Sequence, residues 1–267
     1  MIDLDGYFAR IGYTGPRRAT LETLGMLHAL HPAAIPFENL DPLLGRPVLL
    51  DLGSLQDKLV RRRRGGYCFE QNTLFRAALE ALGFGVTSLA ARVLWGSKPG
   101  RPHPRTHMLL LVHVDGRDYI ADVGFGGRLM ATPLQRVPGL EQPTQHGMMR
   151  LVEHGMFLTL QAASDDGWED LYRFTLEPQF PIDQETANWF TATHPDSLFR
   201  HNLLMERLAP DLRCSLFNRR LTQRYPDGRV SLTQLADAAA LRRVLTEAFA
   251  LDVPAKLDAV FARLPAG

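Results

Sequence analysis

Apolar side chains recur every three or four positions in the first third of the chain and mostly at alternate positions in its middle. In TLETLGMLHALH, Leu21, Leu24, Leu27 and Leu30 stand at three-residue spacing, which predicts a helix with one apolar face. SLQDKLVRR opens with Ser54 and carries Asp57 three residues later, a short capping-box variant that predicts a helix start. CFEQNTLFRAALEALG sets Phe75, Ala78, Leu79 and Leu82 on one stripe, with Gly83 as the expected stop.

From about residue 86 the period changes. VTSLAARVLW, THMLLLVHV, DYIADVGF, MMRLVEH, MFLTLQAA and LYRFTLEP are short β-branched or alternating runs separated by Gly, Pro and Asp. Antiparallel strands in such succession predict a small barrel or curled sheet. PIDQETANWFTATHP reads as helix, SLFNRRLTQRYPDGRVSLTQL as strands around a PDG turn, and the tail as two helices, the second starting at Pro254. Helices, then strands, then a mixed end define an α+β protein with segregated elements. The boundaries are set at 1–85, 86–190 and 191–267.

Composition narrows the function classes. A net charge of +1 gives no global basic field, so neither nucleic acid nor anionic lipid is an expected partner. No apolar run is long enough to span a bilayer, and MIDLDGYFAR lacks the apolar core of a signal peptide. Two cysteines, Cys68 and Cys214, make no disulfide framework, and the expected location is the cytoplasm. Lysine occurs only at 58, 98 and 256, a bias from which the sequence alone yields no functional conclusion.

Chemistry concentrates at RRRRGGYCFEQN. A helix starting near Cys68 turns its unpaired N–H groups and positive dipole end toward the sulfur, an environment that favours thiolates. Gly65 and Gly66 are expected to permit an unusual backbone leading into it. The bland alternative, a buried structural cysteine, fits Cys214, which has no flanking signal. A nucleophilic thiol needs a base, and the base an orienting group. In THMLLLVHVDGRDYIADVGF, Asp115-Gly116 is a two-residue turn signal that pairs Val114 with Arg117. Counting back sets Leu109 opposite Asp122, so His107 and Asp122 lie diagonally on one face, within reach of each other. Cys68, His107 and Asp122 then form a Cys-His-Asp triad.

Competing readings are weaker. His103, His107 and His113 lack cysteine partners or an HExxH pattern, so no metal site is expected. Arg61 to Arg63 suit a solvated helix end, whereas Arg64, beside the glycines, is placed to pair with a buried acid such as Glu38. Gly124, Gly126 and Gly127 in DVGFGGR match no nucleotide fingerprint; they mark a loop whose N–H groups could form an anion nest.

The stretches YFARIGYTG, HPAAIPFENLDPLLGRPVLLD, RRGGYCFEQNTLF, ARVLW, PRTHMLLLV and YIADVGFGG resemble, in order, the arylamine N-acetyltransferases, bacterial members above all. The resemblance covers about the first half of the chain. It implies an N-terminal helical bundle, a central antiparallel β-barrel and a C-terminal α/β lid. It also implies Cys68 as nucleophile, His107 as its imidazole, Asp122 as orienting carboxylate, and the Cys68 and Thr106 amides as oxyanion donors. Phe37, Val93 and Phe199 would line the acceptor pocket, Gly124 to Gly127 would lie near the coenzyme pyrophosphate, and Arg64–Glu38 would be a structural ion pair. Acetyl-CoA is the implied cosubstrate, with no bound cofactor, an aromatic amine or hydrazine the acceptor, and a monomer or homodimer the assembly. Two alternatives stay open: a hydrolase or transglutaminase-like amidase, since the triad alone does not choose the acceptor, and an inactive binder of acyl-CoA or aromatic ligands.

Overall fold

The computed structural model describes residues 1–97, 102–145, 147–251 and 257–265. Its N-terminal part holds α1 (Leu4–Ile11), α2 (Leu21–Ala34), a short strand β1 (Phe37–Glu38), α3 (Leu40–Leu43), α4 (Leu52–Leu55) and α5 (Cys68–Ala81). Two expectations change in detail. In α2, Leu24 and Leu27 are buried together with His28 and His31, whereas Leu21 is 39% exposed and Leu30 only half-buried. Three residues turn about 300° around a helix, so a strict three-residue row drifts off any one face; the buried row is 24, 27, 28, 31. The helix expected to start at Ser54 starts earlier, because Asp51 is its cap and accepts the Ser54 N–H at 2.9 Å. That helix runs into a π-helical turn, Gln56–Arg61, where the Arg62 N–H reaches back to the Asp57 carbonyl at 2.8 Å. The α5 stripe is buried at Phe75, Ala78 and Leu79, and Gly83 ends the helix in the left-handed region at φ 91°.

The middle of the chain forms β2 (Gly85–Val93), β3 (Arg105–Val114), β4 (Arg117–Ala121), β5 (Leu134–Gln135), β6 (Gln142–Thr144), β7 (Gly147–His154), β8 (Phe157–Ser164) and β9 (Gly167–Phe174). They make one antiparallel sheet in the order β5-β4-β3-β2-β9-β8-β7-β6. The sheet curls into a near-closed barrel. Its edge strands are joined by the Gln142 side chain, which accepts the Gln135 N–H at 2.8 Å and donates to the Gln135 carbonyl at 3.0 Å. β3 is apolar on both faces because both are covered: Leu109 fills the barrel, while Met108, Leu110, Val112 and Val114 pack against the N-terminal helices.

The C-terminal part holds α6 (Pro181–Thr193), α7 (Leu198–His201), β10 (Leu204–Ala209), β11 (Leu212–Phe217), β12 (Arg220–Arg224), β13 (Val230–Gln234), α8 (Ala238–Glu247) and α9 (Leu257–Arg263). A second sheet runs β1-β10-β11-β12-β13, so a strand from the N-terminal third completes the C-terminal layer. Pairing of Phe37 with Glu206 and of Glu38 with Met205 fastens the two together. Two residues carry no readable period, and β1 escapes the sequence pattern for that reason. Cys214 packs in the third core with Leu216, Leu241 and Phe249. The helix start expected at Pro254 lies outside the described residues.

Candidate active site

The β3–β4 hairpin sets the first half of the site. Asp115 and Gly116 take φ values of 52° and 72°, the pair of left-handed conformations that a type I′ turn requires. The ladder pairs Val114 with Arg117 and runs to Leu110 opposite Ala121. One step further lies Asp122, and His107 Nε2 meets Asp122 Oδ2 at 2.7 Å. The register expected from turn chemistry is the one found. His113, also on β3, is exposed near the turn and bonds Asp118 at 3.0 Å.

Asp122 is fully buried and surrounded by donors. Its Oδ2 also accepts the Tyr172 hydroxyl at 2.9 Å, and its Oδ1 accepts Asn72 Nδ2 and the Gly124 N–H, each at 2.9 Å. Its own N–H donates to His28 Nε2 at 3.0 Å. Burial works to raise the Asp122 carboxyl, but His107 and the other donors hold it below the usual carboxylate range. Burial likewise opposes a charge on His107; Asp122 outweighs it, aided by the Cys68 sulfur, and pushes the imidazole up to about 10.

Cys68 is the first residue of α5, and its Sγ lies 3.7 Å from the Thr106 carbonyl oxygen. Asp122 occupies Nε2 of His107, which leaves Nδ1 for the hydrogen bond with the sulfur. The helix start is held from several sides. Glu70 Oε2 accepts the Tyr67 N–H at 3.1 Å, and Gln71 Nε2 donates to the carbonyls of Pro36 and Gly66 at 2.9 and 3.2 Å. Gln71 is itself held through His31 at 2.7 Å, and His31 by the Tyr7 hydroxyl at 2.8 Å.

The glycines serve close approach. Gly65 and Gly66 are not among the residues with positive φ, so no unusual backbone is involved; a Cβ at Gly65 would lie 2.1 Å from the Pro36 carbonyl oxygen. At Gly66 it would meet the Glu70 carboxylate at 2.6 Å, and at Gly124 the Cys68 Cα at 2.7 Å. A Cβ at Gly126 would lie 2.6 Å from the Phe37 ring, and one at Gly127, which has φ 134°, 2.1 Å from the Trp95 ring.

Phe37 and Phe199 come together, ring centroids 6.0 Å apart, and Tyr67 meets Phe199 at 5.6 Å. Val93 lies opposite Tyr172 on β9 and against the barrel core. Phe125 and Tyr172 stand 5.1 and 4.8 Å from the His107 ring. Arg64 Nε binds Glu38 Oε1 at 2.9 Å within a larger buried network with Asp41, Lys58 and Glu70. Sequence reasoning missed Asn72, Tyr172, His28 and Phe125. Asn72 had a signal, standing four residues after Cys68 on the same helix face. Tyr172 had none, because only the pairing of β2 with β9 brings it in. Among the described residues no helix is long and apolar enough to cross a membrane.

A thiol on a helix start, an imidazole on one barrel strand and a carboxylate just beyond the next make the constellation of thiol-dependent acyl chemistry. Residues 20–258 match the model of the N-acetyltransferase family. The chain is 45% identical over 252 residues to the arylamine N-acetyltransferase of Escherichia coli (strain K12), covering 94% of this chain and 89% of the relative. The structure of arylamine N-acetyltransferase from M. tuberculosis aligns with a TM-score of 0.93 at 42% identity, covering 97% of this chain and 99% of that one. The Mycobacterium marinum enzyme in complex with CoA aligns with a TM-score of 0.93 at 39% identity, covering 98% and 99%. The chain belongs to the arylamine N-acetyltransferase family.

Proposed function

We propose that this protein transfers an acetyl group from acetyl-CoA to the nitrogen of an arylamine or arylhydrazine through a thioester on Cys68. The observation that carries the reading is the 2.7 Å bond from His107 to Asp122, with the Cys68 sulfur interacting with the same imidazole. CoA as donor is supported by the M. marinum relative, solved in complex with CoA.

The Cys68 sulfur attacks the thioester carbonyl, a new S–C bond forms, and the C–S bond to CoA breaks. His107 gives its proton to the departing CoA thiolate. The acceptor nitrogen then attacks acetyl-Cys68, the N–C bond forms as the S–C bond breaks, and the nitrogen's proton passes to His107. Thiolate and imidazolium are restored, a two-step exchange. The backbone N–H groups of Cys68 and Thr106 are assigned to the oxyanion. Cys68, at the start of α5, has no intrahelical partner for its N–H. The Thr106 N–H closes a three-residue turn on the Pro104 carbonyl at 3.1 Å and would exchange that bond for the oxyanion. Phe37, Phe199 and Val93 are assigned to the acceptor pocket, and Gly124, Gly126 and Gly127 to the coenzyme side. Arg64–Glu38 is assigned a structural role, and the setting is cytoplasmic.

Acetyl-CoA alone should release one CoA per enzyme in a burst and leave one acetyl group on Cys68, seen by intact mass and peptide mapping. Cys68→Ser should lose both, and Cys214→Ser should keep both. Continuous CoA release at full rate without amine would make the protein a thioesterase. A burst that survives in Cys68→Ser would move the nucleophile elsewhere.

A further inference from the structure

Lys58 is one of only three lysines among thirty cationic side chains, in a chain that otherwise uses arginine. It lies in the π-helical turn Gln56–Arg61, and its side chain is buried. π-turns inside helices recur at functional sites. Lys58 Nζ stands 2.6 Å from Asp41 Oδ2 and 2.7 Å from Glu70 Oε1. The second oxygen of Glu70 accepts the N–H of Tyr67, the residue immediately before Cys68. On the Gly66 side that carboxylate is tightly packed: a single Cβ there would come within 2.6 Å of it. Burial pushes the Glu70 carboxyl up and Lys58 opposes it, so the charged state of Glu70 depends on the ammonium.

We propose that Lys58 is a positioning residue for acyl transfer: it holds Glu70 on the Tyr67 N–H and so sets the first turn of α5, from which both the Cys68 sulfur and its backbone N–H project. The inference rests on Cys68 being the nucleophile. Arginine does not replace lysine here. Two carboxylates converge on one nitrogen, which suits a compact ammonium with three donors, whereas a guanidinium spreads its donors across a plane. The same cluster contains the contrast, since Arg64 meets Glu38 Oε1 with both its Nε and a terminal nitrogen. Arginine serves where a fork fits, and lysine is retained where a point charge is needed.

The test is rapid-quench acylation by acetyl-CoA in Lys58→Arg, Lys58→Met and the double variant Lys58→Met/Glu70→Gln, with folding followed by circular dichroism. Both single variants should acylate about tenfold more slowly with an unchanged KM for acetyl-CoA, the scale of a small misplacement of reacting groups. The double variant should recover to near the wild-type rate, because a glutamine oxygen accepts the Tyr67 N–H without a neighbouring cation. A wild-type rate in Lys58→Arg overturns the proposal, as does a double variant no faster than Lys58→Met. Should Lys58→Met fail to fold, Lys58→Arg decides alone: slow acylation upholds the proposal and wild-type acylation ends it. Absence of acetyl on wild-type Cys68 is a separate result, which refutes the nucleophile itself.

Discussion

Replacing Asp122 by Asn removes one buried charge and leaves the side chain's size almost unchanged. Four donors converge on the native carboxylate: His107, Tyr172, Asn72 and the Gly124 N–H. An amide offers one oxygen and one NH2, so whichever way it turns, two of the groups that now donate to the carboxylate meet an NH2 in place of an acceptor. The larger effect is on His107. With Asp122 it titrates at about 10; His28 and His31, equally buried, titrate at about 4 and about 3. Without the carboxylate, burial wins, and His107 falls below the ordinary imidazole value of about 6.5. That drop withdraws roughly 5 kcal/mol of preference for imidazolium. The ring is then neutral at pH 7 and no longer presents a cation to the Cys68 sulfur.

The equivalent change in a serine triad lowers kcat by about 10⁴. A loss of roughly 10² to 10⁴ in the acylation burst is expected for Asp122→Asn, together with slower alkylation of Cys68 by iodoacetamide at neutral pH. Tyr172→Phe removes one neutral donor from the same carboxylate and should cost far less. Asp118→Asn controls for loss of charge from the hairpin, since Asp118 bonds Arg136 at 2.8 Å and His113 at 3.0 Å. The measurement is burst rate and alkylation rate across pH 5 to 10, roughly the span over which the imidazole changes state. A folded Asp122→Asn protein with an unaltered alkylation profile and a burst within about threefold of wild type would remove Asp122 from the mechanism.

Two further outcomes follow from the same geometry. His28 and His31 are held neutral by burial at about 4 and about 3, so their stabilising contribution is full above about pH 6.5, where the unfolded imidazoles titrate, and is lost as pH falls toward 4. His107, raised to about 10, contributes fully below about pH 6.5 and loses that contribution as pH rises through 10. Denaturation midpoints should therefore peak near pH 6.5, and a steady rise to pH 9 would contradict the assignment of these three imidazoles. Gly124→Ala places a methyl 2.7 Å from the Cys68 Cα, which should cost about 1–3 kcal/mol of stability and at least tenfold in kcat. Gly25→Ala, in α2 with no atom within 4 Å of the added methyl, should be neutral or stabilising; equal behaviour of the two in thermal melts and turnover would refute the close-approach argument.

Much of the site was legible because it is built from local rules. Asp115-Gly116 admits few tight turns, and that turn sets the register that brings His107 to Asp122 fifteen residues away. The start of α5 at Cys68 was readable from the glycines before it and the apolar stripe after it. The readings that failed are those in which a pattern stood in for a contact. Three-residue spacing in α2 counted Leu21 into a face from which helix geometry excludes it. Gly65 and Gly66 read as sites of unusual backbone, although what they supply is room for Pro36 and Glu70.

What stayed hidden arrives from far along the chain. Asn72 and Tyr172 each reach Asp122 across 50 residues, and His28 across 94. None of these contacts leaves a periodic trace, because each depends on how one layer is placed against another. The tie between β1 and β10 is of the same kind, joining Phe37 and Glu38 to strands more than 160 residues later. A hairpin can place an imidazole beside a carboxylate by itself. It cannot keep that carboxylate charged in a dry interior, which takes the donors of Asn72 and Tyr172 as well as His107. The reactive pair is therefore local in origin and global in maintenance. Substitutions of Asn72 in α5 and Tyr172 in β9 should reach the chemistry through the charge on Asp122.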